Sequence, residues 1–122
     1  MRTVLLVDDD SELLEMYELW LADSDEWTTR TATDGKEALE KLDGTVDVAV
    51  LDRRMPGIDG GEVVRAIRSS DHGCEVIVAS AFQPDDGIDD HHYDQYLTKP
   101  IQMETLVDTI STQLDDTVTA DP

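Results

Sequence analysis

The chain has 122 residues, 39% of them hydrophobic, and its 29 acidic against nine basic side chains give a formal net charge of −20 at pH 7. That length and composition support one core and exclude a disordered, collagen-like or low-complexity chain. The single cysteine, Cys74, excludes an internal disulfide and a Cys-rich metal centre, and it is compatible with a reducing cytoplasm.

The acids are spread along the whole chain between apolar runs, which is the pattern of a solvated surface. Such a surface repels phosphates, so no direct nucleic-acid contact by this segment is expected. No apolar run approaches about 18 residues, and no long apolar stretch follows a basic start. Neither a membrane span nor a signal peptide is expected.

In chain order, residues 3–7 (TVLLV) form a continuous apolar run, as expected for a strand covered on both faces. It stops at Asp8, Asp9 and Asp10. Asp10 and Ser11 suit helix capping, and Leu14, Tyr17 and Leu21 then follow with helical spacing. Residues 27–31 read as a weaker strand near a sheet edge. Asp34-Gly35 signals a turn, and Ala38, Leu39 and Leu42 mark one side of a short helix.

Residues 46–51 (VDVAVL) form a second buried-type strand with Asp52 at its end. Met55-Pro56-Gly57 and Asp59-Gly60-Gly61 lead into a helix over 62–68. Residues 75–79 (EVIVA) form a third such strand, closed by Ser80. Residues 83–92 are polar and hold at most a short helix. Residues 95–98 make a short strand before Lys99-Pro100, residues 103–114 a last helix, and 115–122 a frayed end.

Strands alternating with helices imply βαβ units, and therefore a parallel α/β sheet with helices on both faces. In such sheets ligands bind outside the carboxyl ends of the strands. The residues that close the apolar strands are Asp8 and Asp9, Asp52, Ser80 and Lys99, so these should converge on one edge. Three carboxylates gathered there repel one another unless a cation lies among them. An all-oxygen donor set favours a hard divalent ion, Mg2+ above others. A carboxylate can also accept a phosphoryl group as an acyl phosphate, a transfer that needs charge neutralisation more than acid–base help.

Four segments carry a specific resemblance: VLLVDDD (4–10), VLDRRMPGIDG (50–60), IVASA (77–81) and YLTKP (96–100). In order and each at a strand end, they resemble the receiver domain of two-component response regulators over essentially residues 2–115. The resemblance implies a flavodoxin-like, doubly wound five-stranded sheet of order 2-1-3-4-5. It implies Asp52 as phosphoacceptor and Asp9 as a direct Mg2+ ligand. Asp8 would bind mainly through water, and the backbone carbonyl of Arg54 would complete the set. Ser80 falls at the switch Thr/Ser position, Tyr96 at the rotating aromatic and Lys99 at the family's lysine. The bond before Pro100 is expected to be cis.

By the same resemblance, residues 1–116 would be the receiver and 117–122 a disordered tail or the start of a linker. A sensor histidine kinase would be the donor, acting on a cytoplasmic signalling switch rather than on a multiple-turnover enzyme. An output domain, a partner protein or a homodimer would read the switch. The stretch between Ala81 and Tyr96 is shorter than in ordinary receivers, so the family's fourth helix should be shortened. That stretch, DRRMP, the acidity and a lysine count of three (Lys36, Lys41 and Lys99) are most similar to haloarchaeal receivers that precede a HalX-type output domain. Arg54 and Phe82 occupy positions that tune phosphoryl lifetime in the family.

Two other readings compete. A haloacid-dehalogenase-like phosphatase would place its Asp-x-Asp signature at Asp8 and Asp10, but Glu12 departs from that pattern and the chain is short for that fold. A non-phosphorylated interaction domain of receiver fold would not need Asp8, Asp9, Asp52 and Lys99 all intact. More ordinary roles suit the remaining residues. Trp20 and Trp27 read as packing groups, Cys74 as an inert small residue, and His91-His92 as solvent-exposed.

Overall fold

A computed structural model describes residues 2–22, 26–53, 60–70, 73–81 and 93–118. Five strands, β1 (Arg2–Val7), β2 (Trp27–Ala32), β3 (Val48–Asp52), β4 (Glu75–Ser80) and β5 (Gln95–Thr98), form one sheet. The described helices are α1 (Ser11–Ala22), α2 (Gly35–Lys41), α3 (Gly60–Ser69) and α4 (Met103–Val118). All four strand pairs are parallel, in the order β2-β1-β3-β4-β5.

Side chains alternate across a strand, so the buried strands feed two separate cores. Leu5, Val7, Ala49, Leu51, Val76 and Val78 face Ala38 of α2 and Val63, Val64 and Ile67 of α3. Val4, Leu6, Val48, Val50 and Ile77 face Leu14, Tyr17 and Leu21 of α1 and Leu106, Ile110 and Leu114 of α4. Each core removes one face of the sheet from water, at roughly 25 cal/mol per Å2 of apolar surface. This two-sided burial is why β1, β3 and β4 read as continuous apolar runs and not as alternating ones.

Helix starts follow local chemistry. The Asp10 carboxylate accepts from the backbone N–H groups of Glu12 and Leu13 at 3.1 and 3.2 Å. Asp10 is therefore the cap of α1 and Ser11 its first residue, a refinement of the shared role expected from sequence. Asp34 caps α2 in the same way, accepting from Glu37 N–H at 2.7 Å.

Other differences concern element ends. Asp52 belongs to β3, whereas Val46 and Asp47 precede the strand; Val46 N–H instead bonds the Asp43 carbonyl at 3.2 Å. The last helix runs to Val118 and not to Leu114. No Gly or Pro lies between Leu114 and Val118 to end the helix earlier. The shortened helix expected in 83–92 falls outside the described residues, as do Met55-Pro56-Gly57, His91-His92 and the final four residues.

Candidate acidic site at the carboxyl edge of the sheet

β1 and β3 are adjacent, with Val7 opposite Leu51, so the residues that follow them leave the sheet side by side. Asp8 is 3% exposed, and its backbone N–H is held by the Ala32 carbonyl at 3.1 Å. One Asp8 oxygen accepts from Asp10 N–H at 3.0 Å, which closes the turn into α1. Asp52 is buried at the end of β3, and Asp9 is exposed. One carboxylate oxygen each from Asp8, Asp9 and Asp52 lies within 4.8 Å of the others.

Lys99 enters this group from the end of β5. Its ammonium lies 2.5 Å from Asp8 Oδ2 and 3.6 Å from Asp52 Oδ2. Its backbone N–H donates to the Ser80 carbonyl at 2.7 Å, which joins the ends of β4 and β5. The Lys99-Pro100 bond is cis. Ser80 is fully buried at the end of β4, with Thr98 opposite it across the ladder. Tyr96, in the middle of β5, packs against the core formed with α2 and α3. Arg54 and Phe82 fall outside the described residues. The structure thus brings together Asp8, Asp9, Asp52 and Lys99, ties Ser80 to Lys99 through the main chain, and sets Tyr96 two residues below Thr98.

Two further residues lie near this edge that sequence reasoning does not place there. Arg53 directly follows Asp52 and is buried. The only signal for it was its place beside a strand-end acid, since a lone Arg after a strand usually reaches solvent. Tyr17 was read as core and is core, packed on Trp20 with ring centroids 5.5 Å apart. Burial pushes its phenol up to about 12, with further contributions from the charges of Asp8, Asp52 and Asp10. Helical spacing identifies the buried face of α1 but not which buried group senses the acids.

Such a site can hold a hard divalent cation in oxygen ligands and can offer one carboxylate as a nucleophile beside a fixed ammonium. It gives no support to the Asp-x-Asp phosphatase reading, because Asp10 is occupied as the α1 cap. Cys74 is buried and its thiol is pushed up to about 12, mainly by that burial, so it is not a nucleophile at neutral pH. Among the described residues, no helix is long and apolar enough to cross a membrane.

The model of the response regulator receiver domain matches residues 4–111. A Haloferax volcanii protein named for transcriptional regulation is 40% identical over 109 residues, which is 89% of this chain and 19% of that protein. The transcriptional regulatory protein TrcR of Mycobacterium tuberculosis is 36% identical over 111 residues, covering 85% of this chain and 42% of that protein. The chain therefore spans less than half the length of these relatives.

Among solved structures, the response regulator TrrA of Thermotoga maritima, in complex with Mg2+ and beryllofluoride, matches with a TM-score of 0.83 and 29% identity. The match covers 93% of this chain and all of that one. A CheY-like receiver domain protein from Methanospirillum hungatei has the same fold, with a TM-score of 0.89, 20% identity and 99% coverage of both chains. With 108 of its positions inside the family model and its strand-end acids gathered as described, the chain belongs to the receiver domain family of two-component response regulators.

Proposed function

We propose that Asp52 is the phosphoacceptor of a Mg2+-dependent switch supplied by a sensor histidine kinase. The carboxylates of Asp8, Asp9 and Asp52 and the backbone carbonyl of Arg54 would hold the ion, Asp8 mainly through water. When bound, Mg2+ would neutralise charge on the transferring phosphoryl group. An Asp52 carboxylate oxygen forms the new bond to phosphorus while the P–N bond of the phosphohistidine breaks. The imidazole nitrogen leaves with that electron pair, and the product is an acyl phosphate.

The Lys99 ammonium, 3.6 Å from Asp52, balances the added charge of about −2. The Ser80 hydroxyl donates to a phosphoryl oxygen, and the shift passes through β5 to Tyr96 and α4. No general base is assigned to hydrolyse the product, so the domain assists its own phosphorylation and dephosphorylation without being a multiple-turnover enzyme.

The observation that carries this reading is the meeting of three carboxylate oxygens within 4.8 Å of one another, with Lys99 bonded into the group. We assign residues 1–116 to the receiver and 117–122 to a tail or the start of a linker. The haloarchaeal relative and the charge of −20 support a salt-adapted protein, which we assign to the cytoplasm and, on the sequence resemblance, to the HalX-associated kind. Its output domain, partner protein or second copy would read the switch. Incubation with acetyl phosphate and Mg2+ should add one phosphoryl group, seen by intact mass, and Asp52→Asn should abolish it. An unmodified wild type, or a labelled Asp52→Asn, would defeat the assignment.

A further inference from the structure

Tyr96 does not sit alone on its side of β5. Its ring meets that of Tyr93 edge to face, with centroids 5.4 Å apart and planes inclined at 61°. Both rings pack against the core beneath α2 and α3. The residue after Tyr93 is fastened at three points. Asp94 N–H donates to the Val76 carbonyl at 2.8 Å, and the Asp94 carboxylate accepts from Val76 N–H at 2.7 Å. The same carboxylate oxygen takes the Arg68 guanidinium at 2.7 Å, which ties the start of β5 to the last turn of α3.

The two tyrosines are therefore unequal partners. Tyr93 adjoins a residue locked to β4 and α3, whereas Tyr96 lies one strand turn closer to the acidic edge, opposite Val78. In the conformer described, Lys99 is drawn to Asp8 at 2.5 Å and lies further from Asp52 at 3.6 Å. A movement of Lys99 toward Asp52 that drew Tyr96 along, with Asp94 still fastened to β4 and α3, would open the Tyr93–Tyr96 contact.

We propose that Tyr93 is a positioning residue, a fixed abutment that holds Tyr96 in this conformer and so sets how readily the site accepts a phosphoryl group. The proposal rests on the reading of Asp52 as acceptor and Tyr96 as relay, and extends it to a residue outside the acidic site. Edge-to-face pairs are each worth enough to shift a two-state equilibrium about two- to tenfold. A contact made in one conformer only must change affinity for whatever favours the other, by the same factor.

The test is calorimetric titration of the 122-residue protein with beryllofluoride in the presence of Mg2+. Tyr93→Leu, which keeps apolar bulk and removes the ring, should raise beryllofluoride affinity about two- to tenfold while lowering the melting temperature. A role in packing alone would lower both. Tyr93→Phe keeps the ring and should bind as wild type does. Arg68→Gln, which loosens the Asp94 anchor, should raise affinity by less than Tyr93→Leu. Wild-type binding with no gain in Tyr93→Leu overturns the abutment alone. Absence of binding in the wild type overturns the phosphoacceptor reading and the abutment together.

Discussion

Two groups of charged side chains occupy different margins of this sheet, the carboxyl edge and the outer strand β2, and they differ in what surrounds them. Lys99, Asp8 and Asp52 have side chains 19%, 4% and 10% exposed. At the β2 margin, Arg30 reaches the Lys41 carbonyl at 3.0 Å, Asp43 at 3.2 Å and Thr45 at 2.8 Å, and Lys41 pairs with Glu37, all on exposed or half-buried side chains. The β2 group fastens a strand to the turn beyond α2 and is screened by water and salt. The acidic-edge group holds charges where water is largely excluded, which is costly for folding alone. Like charges gathered in such a place point to a ligand that joins them, whereas pairs in water point only to local trim.

The sharpest way to break this contrast is to remove the single ammonium from the edge. Lys99→Met should slow labelling by acetyl phosphate about 100-fold, by analogy with deletion of one charge-stabilising group at a reaction centre. A rate near wild type, read by intact mass over time, would place Lys99 with the β2 charges. The same variant should melt lower than wild type in chelator, because Asp8 and Asp52 then lose their cation. Added Mg2+ should recover much of that loss.

Mg2+ should also stabilise the wild type, by about 2.7 kcal/mol at 100-fold excess over its dissociation constant. Asp9→Asn, which removes an exposed carboxylate of the group and spares the core, should reduce this gain. An unchanged melting temperature with and without Mg2+ would argue that the acids do not act as one site.

Salt should act on the whole surface and not on the edge alone. Raising KCl from about 0.1 M to about 1 M shortens the screening length from roughly 10 to 3 Å. With a net charge of −20, the melting temperature should climb across that range. A fall would mean that the exposed ion pairs outweigh self-repulsion.

Smaller effects lie at the pH extremes and at β2. The Tyr17 and Cys74 pKa values are raised in the fold above 10.0 and 9.0, both to about 12, chiefly by burial. Their contributions are complete below pH 9 and are lost as pH rises toward 12, since the unfolded chain releases these protons first. Tyr17→Phe should flatten the pH 10–12 part of that decline in a melting-temperature profile. Arg30→Gln should leave labelling unchanged, and its slight effect on melting should fade as salt rises. A labelling defect in Arg30→Gln would erase the contrast between the two margins.

Much of this was legible in the sequence because burial on both faces forces strands to be uniformly apolar. A strand such as VLLV then ends visibly where Asp8 begins, and the same holds for Asp52 and Ser80. The parallel sheet followed from βαβ logic, and its strand order from the receiver resemblance. The end of α4 was less legible, because adjacent acids weaken a helix terminus without ending it. Asp10 and Ser11 are both good caps, and only geometry decides between them. Arg53 and the Tyr17 phenol were hidden because burial beside a charge depends on packing across elements, which hydrophobic periodicity does not report. The Tyr93–Tyr96 contact was hidden for a related reason, since a strand pattern gives the face of a ring and not its neighbour three residues away.

The bond from Lys99 N–H to the Ser80 carbonyl has a further consequence. One residue grips an acid with its side chain and a neighbouring strand with its main chain, so a tug on the ammonium is felt at once by the hydrogen-bonded seam beside it. If Asp52 takes the phosphoryl group, the path from chemistry to backbone would be a single residue long and run inside the sheet.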